Sequence, residues 1–122
     1  MRVLVGADSI HTTATACDFL ESRLGPSDTL VLLTVTDSTV TERDGADAAN
    51  VARARLGAVT VESVQRSGDP VTLIGQIATD RNVDEIVLGA VRGDPATAGD
   101  APGSTVRSLL AETSRPITVV PV

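Results

Sequence analysis

Apolar residues fall in short runs divided by polar segments bearing Gly, Pro and Asp, and the runs alternate in period. Arg2–Gly6 is a β-branched run closing on Gly6-Ala7-Asp8, the signature of a buried strand and its turn. Thr13, Ala16, Cys17, Leu20 and Leu24 then share one helical face. Ser9 and Thr12 are the candidate caps, and Gly25-Pro26 stops the helix. Thr29–Val35 is almost continuously apolar, which predicts a strand buried on both faces, the habit of parallel sheets.

Thr36–Gly45 is polar and reads as a loop, and Asp47–Leu56 as a short Ala-rich helix ended by Gly57. Val59–Arg66 alternates as a third strand. Ser67-Gly68-Asp69 turns the chain, with Pro70 placed to open a helix carrying Val71, Ile74, Ile77 and Ala78 on one face. Asp84–Leu88 predicts a fourth strand, Gly89–Pro102 a Gly- and Asp-rich loop, Ser104–Thr113 a helix and Pro116–Val120 a last strand. Strand and helix alternating in this way predict a single α/β domain over residues 1–122. Its five-stranded parallel sheet would have helices on both faces and the flavodoxin-like order 3-2-1-4-5.

Composition removes several chemistries. Hydrophobic residues are 42% and charged residues 21% of the 122, a globular balance. All ten basic residues are Arg, so every lysine-dependent device, the P-loop lysine and Schiff bases among them, is excluded. A net charge of -6 opposes nucleic acid and anionic membrane as partners. The Asp-rich, Lys-free balance suggests a halophile or a GC-rich genome. Phe19 is the only aromatic residue, which disfavours a flavin or a stacked base. Cys17 is the only cysteine, so neither an internal disulfide nor a thiolate cluster can form. Met1-Arg2 leads straight into Val3-Leu4-Val5 without a secretory layout, and no apolar run approaches the roughly 18–20 residues of a membrane helix. A cytoplasmic protein is expected.

In an open parallel sheet a ligand sits beyond the carboxyl ends of the strands, where strand order reverses. Two segments converge there: Gly6-Ala7-Asp8, and the loop from Gly89 through Gly93 to Gly103-Ser104-Thr105. Glycines let backbone approach an anion, and the start of the last helix would offer free N–H groups and its positive end. Ser104 can cap that helix or donate to a phosphate. Asp8 can accept from a ribose hydroxyl or an adenine amine. This arrangement would hold a nucleotide, its polyphosphate at the helix start.

At these residues the chain resembles the universal stress protein family, whose nucleotide-binding members carry G-x2-G-x9-G-[ST] after the fourth strand. Gly93 and Gly103 enclose nine residues and Ser104 follows, as in the motif, while Gly89 and Gly93 enclose three residues rather than two. Val3–Asp8, Leu32–Val35, Gly68-Asp69-Pro70, Glu85–Gly89 and Pro116–Val120 extend the resemblance over nearly the whole chain. Gly6 stands where the family often has proline, and the stretch from Val35 to Val59 is shorter than usual for it. The resemblance implies adenine or ribose contacts at Asp8 and Val35, and phosphate contacts at Gly89, Gly93, Gly103, Ser104 and Thr105. It implies ATP or another adenine nucleotide as ligand; Asp94 and Asp100 in the loop would repel its phosphates unless Mg²⁺ or Arg92 offsets them. It also implies a homodimer through the C-terminal edge strand, where Ile117–Val120 is β-branched and uncharged.

Plainer readings stand beside these. The glycine loop could be a connector and Asp8 a helix cap. His11, the only histidine, lacks a second ligand or a nucleophile, and reads as surface. Cys17 reads as a small buried hydrophobe, and Asp44 and Asp47 as part of a solvated acidic face. The absence of Lys, of an acid pair and of Gly-x-Ser-x-Gly removes receiver, P-loop and nucleophile-elbow chemistry. No general base is positioned for fast hydrolysis. A dimeric interaction module without nucleotide is the alternative function.

Overall fold

The computed structural model describes residues 1–89 and 104–121. Five strands, β1 (Arg2–Ala7), β2 (Thr29–Thr36), β3 (Thr60–Ser67), β4 (Glu85–Gly89) and β5 (Ile117–Val120), alternate with four helices. The helices are α1 (Ile10–Leu20), α2 (Glu42–Arg55), α3 (Pro70–Asp80) and α4 (Ser104–Glu112). The strands pair in parallel in the order β3-β2-β1-β4-β5. Fold class and strand order therefore agree with the expectation from sequence.

Side-chain alternation along the central strands builds two cores. Val3, Val5, Leu30, Leu32 and Val87 pack with Ala16, Cys17 and Leu20 of α1 and with Ala48, Ala49 and Ala52 of α2. Leu4, Val31, Leu33, Ile86 and Leu88 pack on the other face with Ile74, Ile77 and Ala78 of α3 and with Val106 and Leu109 of α4. Right-handed crossovers dictate this division, because β1→β2→β3 runs one way along the sheet and β3→β4→β5 runs back.

Local chemistry sets the element boundaries. Ser9, not Thr12, is the N-cap of α1: its Oγ accepts from Thr12 N at 3.1 Å. Asp69 caps α3 by accepting from Thr72 N at 3.0 Å, with Pro70 in the first turn. Gly68 precedes it with φ at 144°, a conformation that side-chain-bearing residues rarely adopt. α2 begins at Glu42, earlier than the predicted Asp47. A capping box explains the difference: Thr41 Oγ1 accepts from Asp44 N at 3.2 Å, and Asp44 Oδ2 accepts from Thr41 N at 2.8 Å. Asp44 thus helps fix the start of α2 while remaining partly solvent-exposed.

Candidate functional site

The sheet's strand order reverses between β1 and β4, and those strands part there. Their pairing covers only Val3–Val5 against Glu85–Val87. Gly6 and Ala7 continue with β2, opposite Leu33 and Thr34, while Leu88 and Gly89 continue with β5, opposite Val119 and Val120. In a sheet of this strand order, this carboxyl end is where the ligand crevice is expected.

Three of the predicted residues stand at the carboxyl ends of β1, β2 and β4. Asp8 follows β1 and is half-buried. Ala7 pairs with Thr34, so Asp8 stands level with Val35, one step beyond in both strands. Val35 is half-buried and packs against the α3/α4 core. Gly89 ends β4 and is half-buried. Ser104 and Thr105 open α4. Gly93 and Gly103, with the rest of the loop between β4 and α4, lie outside the described residues.

The Asp8 carboxylate accepts a hydrogen bond from Thr12 Oγ1 at 3.0 Å, and Ser9 Oγ donates to that same hydroxyl at 3.1 Å. Asp8 is therefore held by the first turn of α1, while Ser9 does the capping. An acceptor fixed in this way is oriented before any ligand arrives.

Sequence reasoning missed Thr34. It is 2% exposed, and its hydroxyl has no partner among the described residues. It lies two residues inside the end of β2, next to Val35. No sequence signal separates it from a threonine chosen for β-propensity.

Elsewhere the candidates take structural roles. His11 is exposed in the first turn of α1. Cys17 is fully buried, and burial pushes its thiol up to about 11. Among the described residues, no group of three His, Cys, Asp or Glu side chains could hold a metal. Glu85, 5% exposed, is met by Arg23 Nη2 at 2.7 Å and by the Thr118 hydroxyl. The Arg23 hydrogen bond holds its carboxyl below the usual glutamate range.

Comparison with known proteins decides the family: the universal stress protein family matches residues 1–121. The chain belongs to the universal stress proteins. No curated protein matches it by sequence. Among solved structures, the hypothetical protein MJ0577 is 20% identical with a TM-score of 0.80, over 99% of this chain and 95% of that one. A universal stress protein in complex with cAMP is 21% identical, TM-score 0.73, over 98% and 95% of the two chains. An Arabidopsis thaliana member with AMP bound is 18% identical, TM-score 0.71, over 99% and 90%. These likenesses extend the shared fold over nearly the whole of this universal stress domain. No helix among its described residues is long and apolar enough to cross a membrane.

Proposed function

We propose that this universal stress protein binds an adenine nucleotide, ATP foremost, in the cleft between β1 and β4, and acts in the cytoplasm as a stress-linked regulator. The observation that supports the reading is that β1 and β4 stop pairing beyond Val5 and Val87, with Asp8, Val35 and Gly89 at the carboxyl ends of β1, β2 and β4. The nucleotide complexes of its structural relatives support it. Asp8 and Val35 are assigned to the nucleoside, and Gly89, Gly93, Gly103, Ser104 and Thr105 to the phosphates. Backbone N–H groups at the start of α4 would supply the anion-binding dipole. Mg²⁺ would enter with the nucleotide.

A homodimer through β5 accompanies this reading. The strand lies at the sheet edge, and Ile117–Val119 is half-buried, uncharged and β-branched. A monomer mass by light scattering at micromolar concentration would overturn the dimer.

Calorimetric titration with ATP and Mg²⁺ tests the nucleotide. Saturable heat and a raised melting temperature are expected. No heat, with an unchanged melting temperature at millimolar ATP, refutes it. The second reading, a dimeric interaction module without nucleotide, rests on the three residues between Gly89 and Gly93 where the motif has two. It expects Gly103→Val to leave every phenotype intact, and nucleotide co-purified with the protein would count against it.

A further inference from the structure

We propose that the groove between α3 and α4 is a second binding site, taking a small organic molecule with one carboxylate and a short apolar body. The groove has a volume of about 440 Å³ and uses none of Asp8, Val35 or Gly89. That volume falls within the range of small-molecule sites.

Arg115 lines the groove. Its Nε donates to the Val83 carbonyl at 2.9 Å, which fixes the guanidinium plane. Its two terminal nitrogens have no partner among the described residues. A fixed guanidinium with its outer edge open is matched to a carboxylate, which can accept both bonds of the fork. Glu112 lines the same groove, and no ion pair joins it to Arg115 among the described residues. Its charge opposes a dianion such as phosphate and leaves a monoanion as the suitable guest. Half-buried Val71 and buried Leu109 supply apolar wall.

Gly75 is the independent observation. It lies inside α3, lines the groove, and a Cβ built on it would meet nothing within 4 Å. A glycine in a helix interior weakens the helix relative to alanine. Internal packing gives no reason for it, and neither does a turn, since its φ lies outside the left-handed region. Its absent side chain keeps the groove open between the helices.

Titration of the full chain with butyrate, followed by amide NMR, tests the site, with butylamine and inorganic phosphate as comparisons. Saturable shifts at Gly75 and Arg115 are expected with butyrate alone. Arg115→Gln should weaken butyrate roughly tenfold or more, the loss of a charge-assisted pair. Arg115 also ties down Val83, so Gly75→Leu serves as the second variant. It adds a better helix former, and should raise the melting temperature while abolishing the butyrate shifts. Absence of saturation with butyrate, an equal response to butylamine or phosphate, or butyrate binding unchanged in Gly75→Leu would each overturn the proposal.

Discussion

Leu88 occupies the space that a side chain at position 6 would need. A Cβ on Gly6 would lie 2.9 Å from Leu88 Cδ2 and 3.7 Å from Ile74 Cδ1. The two residues belong to β1 and β4, at the level where those strands stop pairing. Leu88 thus seals the α3 side of the parting, and the absence of a side chain at Gly6 lets it do so. Gly6→Ala should cost about 1 kcal/mol in chemical denaturation, the low end for overpacking, because the clash is with the tip of a side chain. Gly6→Val should cost more. A double-mutant cycle with Leu88→Ala should show coupling of roughly 0.5 kcal/mol or more. Additive behaviour would mean that the contact carries no strain.

Glu85 predicts an acid limit to stability. Hydrogen bonding to Arg23, then to Thr118, lowers its pKa from the ordinary 4.5, against the desolvation that raises it. A depressed carboxylate contributes stability that is present above its unfolded pKa and lost as pH falls through the folded value. Asp28 and Asp69 are lowered as well, the first chiefly by the terminal ammonium and the second by Thr72 N–H. The melting temperature should therefore hold above about pH 5 and fall steeply below pH 4.5. Glu85→Gln should flatten that fall and cost on the order of 1–3 kcal/mol at neutral pH. Arg23→Ala should move the acid transition to higher pH, since it leaves a buried carboxylate without its cation.

Cys17 should be inert in the native protein. Burial is the largest influence on its thiol and raises it from 9.0 to about 11, with Arg55 pulling the other way. The native state therefore holds its proton where the unfolded state releases it, so stability should decline as pH rises from 9 towards 11. Ellman's reagent should label Cys17 only as fast as the chain unfolds. Labelling within mixing time in native buffer would contradict this account.

The capping box at Thr41 should anchor α2. Thr41→Ala removes the acceptor for Asp44 N, and should cost roughly 0.5–2 kcal/mol with the loss concentrated at the start of the helix. Asp44→Ala should cost a similar amount, because Asp44 Oδ2 serves Thr41 N in return. Hydrogen exchange at Asp44 and Gly45 would report either loss directly.

The sheet was legible because Leu30–Leu33 and Ile86–Leu88 are buried on both faces and so leave continuous apolar runs. The start of α2 was not. Glu42, Arg43, Asp44 and Gly45 show no apolar period, and the helix is set by the reciprocal Thr41–Asp44 bonds. Asp8, Val35 and Gly89 could be placed at strand ends from the alternation of elements alone. The parting of β1 from β4, the stranded Thr34 hydroxyl and the open space at Gly75 are three-dimensional facts with no one-dimensional trace.

Asp8 offers the sharpest test of the proposed nucleotide cleft. Its carboxylate is half-buried and accepts from Thr12 Oγ1, which helps orient it for a ligand hydroxyl. Asp8→Ala should therefore lower adenine-nucleotide affinity by roughly 10- to 100-fold, the worth of one charge-assisted hydrogen bond. Thr12 loses a partner in the same variant, so the melting temperature without ligand must be measured beside the titration. Thr12→Val supplies the control: it removes the support for Asp8 while leaving the carboxylate, and should weaken binding less than Asp8→Ala does. Equal affinity for ATP in wild type and Asp8→Ala, with both proteins folded, would remove this carboxylate from the site.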